Sequence, residues 1–309
     1  MREKWVEAPK ITGNEELARK FSVSPMAMRL IRSRAGESEA EVREYLCGTI
    51  EELADPYLMK GMREAVSLLR EKIREGASIR IIGDYDIDGV NATHILITAL
   101  RRCGAQADTV IPDRMKDGYG INEHLIGDAK KAGVDTIITC DNGIAAAKEI
   151  AFAKELGMTV IVTDHHDIPY QEEADGSRTV ILPPADVIVN PKQPDCRYPF
   201  KKLCGAAVAW RLAEALYREE GVPREEFLDL AEFAAVATVG DIMDLTGENR
   251  ILVKYGLKRL EQTKNPGYRA LLAVNGLEGK KLTAYHIGFV IGPCINASGR
   301  LDTARRALQ

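Results

Sequence analysis

A chain of 309 residues, 45% hydrophobic and 28% charged, has the makings of two ordinary domains or one large α/β domain with an appendage, around a sizeable core. Its formal net charge of −4 excludes a generic basic nucleic-acid binder, so an anionic substrate has to be met by local cations or by metal. No apolar run reaches the roughly 18 residues of a membrane span, MREKWVEAPK lacks a secretory apolar core, and the six cysteines form no CxxC pair; these features give a cytoplasmic, reduced-thiol expectation.

Residues 1–77 read as a helical region that packs against the sheet domain. In MKGMREAVSLLREKIREG, Met62, Val66, Leu69 and Ile73 make one apolar stripe, and Gly76 ends it. From residue 78 the texture changes. SIRIIGD, ADTVIPD, DTIITCD and MTVIVTD are short apolar runs separated by helix-length amphipathic segments, three of which stop at Gly104, Gly133 and Gly157. A fifth strand, DVIVN, follows a proline-containing loop over 168–184, and helices are predicted over 204–220, 225–239 and 250–263. The alternation predicts an α/β fold, a doubly wound, mostly parallel sheet with crossover helices, preceded and followed by helical segments. Its extent is 78–265, and ARRALQ reads as a helix still in progress, which sets the expectation of a longer protein.

The chemistry gathers at the strand ends. GDYDIDG packs Asp84, Asp86 and Asp88 into five positions after a buried strand, where like charges repel and are costly to desolvate. A polar turn with Asp84 capping the next helix is the bland account. Yet all four strands end in acid, at Asp84, Asp113, Asp141 and Asp164, the last followed by His165 and His166. In open parallel sheets that edge is the ligand crevice. Asp113 alone reads best as a helix cap. Carboxylates and imidazole without thiolate suit Mn²⁺ or Mg²⁺, and the number of acids suits a pair of ions acting on a phosphoester. Arg114, beside a Gly118/Gly120 loop, is placed for phosphate or for an ion pair; Asp241 after Gly240 is a candidate ligand, and Asp244 a structural acid. His94 reads as a core residue, and His124 and His286 carry little weight.

GDYDIDG, PDRMKDGYG, TCDNGI and TDHH, in this order, resemble the DHH phosphoesterase superfamily. DPYLMKGMREAVSLL, VIVNPKQPDCRYPFKKLCGAAVAWRL and GFVIGPCINASGRLDTA are similar to its bacterial branch of exonucleases specific for single-stranded DNA. The resemblance implies two Mn²⁺ or Mg²⁺ ions held by Asp86, Asp88, Asp141, His165 and Asp241, with Asp141 as bridge. It implies His166 facing the scissile phosphate, Asp84 and Asp164 in supporting catalytic roles, and Arg114 and Arg300 on phosphates. It further implies 5′→3′ hydrolysis of single-stranded DNA to 5′-mononucleotides in repair and recombination, with single-strand-binding protein and repair helicases as partners and no membrane. Residues 266–309 then form a connector toward a DHH-associated domain absent from the sequence. Two positions depart from the pattern: Ile82 stands where some members have a histidine ligand, and Cys294 where an arginine is common. Other readings are a different DHH phosphoesterase (oligoribonuclease, cyclic-dinucleotide hydrolase or pyrophosphatase) and a non-catalytic scaffold.

Overall fold

In a computed structural model, residues 12–113, 118, 120–173, 175–301 and 305–308 are described, without the side chains of 299–301 and 305–306. Among the described residues three helices come first: α1 (Asn14–Lys20), α2 (Pro25–Ala35) and α3 (Glu39–Cys47). Their starts are written locally. The Ser24 hydroxyl accepts the Ala27 N–H ahead of Pro25, and Ser38 with Glu41 forms a reciprocal capping box. Ala18, Met28 and Val42 give these helices a small core of their own. Arg32 is buried and donates to the Thr12 carbonyl, Asn14 Oδ1 and the Glu37 carbonyl.

After 3₁₀ turns at Ile50–Glu52 and Pro56–Leu58, α4 (Met62–Glu75) buries Met62, Ala65, Val66 and Leu69 and stops at Gly76, whose φ of +67° favours glycine. The α/β unit then runs β1 (Ser78–Ile82), α5 (Ile87–Arg102), β2 (Gln106–Val110), α6 (Glu123–Lys131), β3 (Thr136–Cys140), α7 (Ala147–Glu155) and β4 (Thr159–Thr163). A two-stranded antiparallel hairpin, β5 (Tyr170–Glu172) and β6 (Arg178–Val180), occupies part of the stretch expected to be loop, and β7 (Val187–Val189) is the fifth strand of the main sheet. That sheet is parallel throughout, in the order β2-β1-β3-β4-β7.

Helices cover both faces, as the near-continuous apolar strands require. Ile79, Ile81, Ile138 and Ile161 share a core with α5 and with α8 (Gly205–Glu219), α10 (Ala231–Gly240) and α11 (Gly247–Leu260). Ile82, Ile137, Val160 and Val162 face α6 and α7 on the other side. The single helix expected over 225–239 is two: α9 (Arg224–Asp229) ends at Leu230, which also starts α10. The chain continues through α12 (Pro266–Val274), α13 (Ala284–His286), a π-helical turn at Ile287–Ile291, α14 (Gly292–Leu301) and α15 (Arg305–Leu308). No helix among the described residues is long and apolar enough to cross a membrane. His94 is half-buried, packed against Phe233 with ring centroids 4.2 Å apart, and desolvation pushes its pKa down to about 4.

A buried polar joint ties the 50–58 segment to the α/β unit. The Tyr198 hydroxyl donates to Glu248 Oε2 at 2.6 Å while Glu248 Oε1 accepts the Ala54 N–H at 3.0 Å, and Arg211 donates to the Ala54 carbonyl. Tyr198→Phe strips a donor from a buried carboxylate and is expected to lower unfolding stability by about 1–3 kcal/mol. Urea titration checks it: the midpoint falls while the slope stays constant. An unchanged midpoint would show that Glu248 is satisfied without the hydroxyl.

Candidate metal centre

β1, β3 and β4 are adjacent in the middle of the sheet, so GDYDIDG, CDNG and TDHH emerge side by side from its carboxyl edge. Each turn is locally specified. Asp86 caps α5, its Oδ1 accepting the N–H groups of Asp88 and Gly89 at 2.9 and 3.0 Å. Asp84 is therefore not the cap; it lies buried in front of it. Asp141 sits at φ +62°, a left-handed conformation that an aspartate tolerates better than most residues. Behind it, Asn142 donates to the Ile82 and Cys140 carbonyls and so ties β1 to β3.

Four elements supply the cluster. His165 Nε2 lies 3.1 Å from Asp141 Oδ1, 3.5 Å from Asp88 Oδ2 and 3.7 Å from Asp241 Oδ2, with Asp241 brought in at the C-terminal end of α10. Among the described residues, three overlapping sets present ligand atoms within 4.8 Å of one another: Asp84, Asp86 and Asp141; Asp88, His165 and Asp241; Asp141, His165 and His166. The five ligand candidates of the sequence thus meet in one place, with Asp84 among them and Asp141 common to two sets. Asp113, three residues past the edge strand β2, belongs to none of these sets, and it is Asn122, not Asp113, that caps α6. Asp244 pairs with Lys202 on the surface, and Ile82 is wholly in the core. Arg114 lies outside the described residues; Arg300 is on α14, its side chain likewise outside.

His166 and Asp164 form a second unit. His166 Nδ1 is 2.7 Å from Asp164 Oδ1, and Asp164 also accepts the backbone N–H groups of Ile144, His165 and His166. Burial alone would raise Asp164, but these bonds, His166 first, hold it below the usual carboxylate range. The same bond raises His166. His165 goes the other way, lowered by burial.

Residues that the acidic motifs did not mark complete the site. Asp88, fully buried, accepts the N–H groups of Gly205 and Ala206 at 2.6 and 2.7 Å, so the positive end of α8 holds a carboxylate. Gly205 is required by close approach, since a Cβ there would lie 2.6 Å from Asp141 Cβ.

The donor set fits a divalent cation. Asp84 Oδ1 is buried with no hydrogen-bond partner among the described residues, and thiolate is absent from all three sets. Without a cation, four of the acids take up protons more readily than an ordinary carboxyl group. Burial, then neighbouring acid, pushes Asp84 and Asp241 up to about 7, raises Asp86, and lifts Asp141 well above its ordinary 3.8. Between about pH 4 and 7 the folded form therefore binds more protons than the unfolded one, and stability falls as pH rises through that window. Raised His166 adds to this fall; lowered His94 and His165 oppose part of it. The cation-free protein is expected to melt higher at pH 5 than at pH 8, and millimolar Mn²⁺ at pH 8 to reverse the order. Calorimetric scans with and without chelator measure both; a cation-free protein more stable at pH 8 would contradict the shared site.

A doubly wound parallel sheet with a thiolate-free cluster of aspartates and histidine at its carboxyl edge defines the class: an α/β protein with a hard-cation centre. The chain belongs to the DHH family, whose N-terminal domain model matches residues 78–238. It is 38% identical over 306 residues to the single-stranded-DNA-specific exonuclease RecJ of Bacillus subtilis, covering 99% of this chain and 37% of that protein. The Escherichia coli RecJ is 35% identical over 290 residues, covering 90% and 48%. Among solved structures, RecJ in complex with Mn²⁺ from Thermus thermophilus superposes with a TM-score of 0.76 at 32% identity, covering 98% of this chain and 41% of that one. An exonuclease RecJ bound to manganese gives 0.70 at 37%, covering 81% and 60%. The chain spans less than half the length of these curated relatives.

Proposed function

We propose that this chain carries the cation-dependent phosphodiesterase centre of a 5′→3′ exonuclease that releases 5′-mononucleotides from single-stranded DNA. The observation that carries the reading is the meeting of Asp86, Asp88, Asp141, His165 and Asp241, with Asp84 beside them, at one sheet edge. The likeness to RecJ proteins, named for single-stranded-DNA exonuclease activity and solved with Mn²⁺ and Mg²⁺, supports the substrate and the two cations. Those six residues would hold the pair. A bound divalent pair supplies Lewis acidity toward a phosphodiester and its attacking water.

The rest falls to the chain's own groups. Asp164 orients His166 through Nδ1 and favours its protonated form, so Nε2 is set to hold a proton toward the phosphate or the leaving oxygen. Arg114 and Arg300 would meet backbone phosphates, which a chain of net charge −4 needs locally. The catalytic unit would extend over 78–265, with 1–77 bracing it and 266–309 serving as a connector. Action in cytoplasmic DNA repair and recombination, beside single-strand-binding protein and helicases, belongs to the same proposal.

The test is a side-by-side assay with Mn²⁺ on 5′-labelled single-stranded DNA, duplex DNA, a ribo-oligonucleotide, a cyclic dinucleotide and pyrophosphate. Mononucleotides from single strands, at a rate at least tenfold above the others, are expected. Preference for any of the other substrates would replace this reading with a different DHH phosphoesterase.

A further inference from the structure

The first N–H groups of a helix have no intrahelical acceptor. In α5, Asp86 Oδ1 takes those of Asp88 and Gly89, which leaves Ile87, the residue between two proposed cation ligands. Its N–H donates to Asn296 Oδ1 at 2.8 Å, a bond that spans 209 positions of sequence. The Ile87 side chain is trapped as well. A Cβ on Gly240, the residue before Asp241, would lie 2.6 Å from Ile87 Cγ2, and one on Gly292 would lie 3.4 Å from its Cδ1. Ile87 therefore touches α10 where it delivers Asp241, and α14 through both backbone and side chain. The π-helical turn that leads into α14 is a form concentrated at functional sites. Asn296 also lines a cavity of about 310 Å³ with Gly240, Gly288, Gly292, Pro293 and Ala297.

We propose that Asn296 is a positioning residue: by accepting the Ile87 N–H it fixes the backbone from Asp86 to Asp88, so that α14 sets the aim of both carboxylates. The inference rests on the cation-centre reading above. Withdrawing the acceptor leaves a buried N–H unpaired and lets the first turn of α5 relax, which weakens cation binding while leaving the reacting groups in place.

Mn²⁺ titration calorimetry on the wild type, Asn296→Ala and Asn296→Asp tests it. Asn296→Ala is expected to bind Mn²⁺ about tenfold more weakly, at the low end of what a lost supporting group costs. Asn296→Asp keeps an oxygen on the same branch point and is expected to bind at least as tightly as the wild type. At saturating Mn²⁺, the rate of Asn296→Ala on single-stranded DNA should return to within about twofold of the wild type, because the acceptor touches no reacting atom. Gly292→Ala, which presses a methyl group onto the Ile287 carbonyl and Ile87 while leaving Asn296 intact, should show the same loss of affinity, and it serves if Asn296→Ala does not fold. Wild-type affinity in Asn296→Ala, or in Gly292→Ala where the alanine variant is lost, overturns the proposal; so does equal weakness in Asn296→Asp. A wild-type chain that binds no Mn²⁺ would defeat the proposed function instead.

Discussion

Asp141→Asn is expected to abolish Mn²⁺-dependent hydrolysis of single-stranded DNA while leaving the cation-free fold at least as stable as the wild type. Loss of supporting groups around metal sites costs about 10–100-fold, so removing the acid common to two ligand sets should exceed about 100-fold. The stability half of the prediction comes from the opposite physics. Asp141 is buried among Asp84, Asp86, Asp88 and Asp164, and its carboxyl is driven well above the ordinary range by that burial first and by the neighbouring acids second. Without a cation, a charge on Asp141 is a liability to the fold, and a neutral amide of the same shape relieves it.

Backbone conformation decides between substitutes. At φ +62° asparagine is tolerated, whereas alanine in a left-handed turn costs roughly 1–2 kcal/mol. Asp141→Ala should therefore melt below Asp141→Asn by a few degrees, and both should be inactive. Melting curves with and without Mn²⁺ separate the effects: the cation raises the wild type and leaves the asparagine variant where it was. Retained nuclease activity in Asp141→Asn would remove the basis for a cation centre at this edge.

The parts of the fold legible in the sequence are those with a strong local period. Four apolar runs broken by amphipathic segments gave the parallel sheet, and the Met62/Val66/Leu69 stripe closed by Gly76 gave α4. The β5–β6 hairpin was not legible because both strands are exposed on each face, so no alternation marks them. The break at Leu230 was hidden because apolar residues continue through it, from Phe227 to Phe233. At the site, aspartates and histidines were visible as chemistry at strand ends, but the strand order was not. Only that order explains why Asp113, in the segment that follows the edge strand β2, stands apart from acids emerging from β1, β3 and β4. Long-range partners had no local signature either. Asp88 with the α8 N-terminus spans 117 positions, and LCGAA carried only a small-residue texture to hint at it.

Gly205→Ala is the sharpest test of that unmarked contact. By propensity the change should help, since alanine in place of glycine favours a helix by about 1 kcal/mol and Gly205 opens α8. Packing says otherwise. The new Cβ would stand 2.6 Å from both Cβ and Oδ1 of Asp141, closer than unbonded carbon atoms are found, and neither neighbour is the free end of a flexible chain. Either Asp141 swings away from the cluster or α8 withdraws, and α8 cannot withdraw without releasing the Gly205 and Ala206 N–H groups from Asp88. Both routes pull a ligand from its set. The expected result is Mn²⁺ affinity and single-strand hydrolysis each reduced by about 100-fold or more, at the far end of what supporting groups contribute. The cation-free melting temperature should move by only a few degrees, because a shift of 1 kcal/mol corresponds to about 2–4 °C in domains of roughly 150–250 residues. A Gly205→Ala protein that binds Mn²⁺ as the wild type does would mean that α8 and Asp141 are not packed as described, and the support of Asp88 by the helix terminus would fall with them.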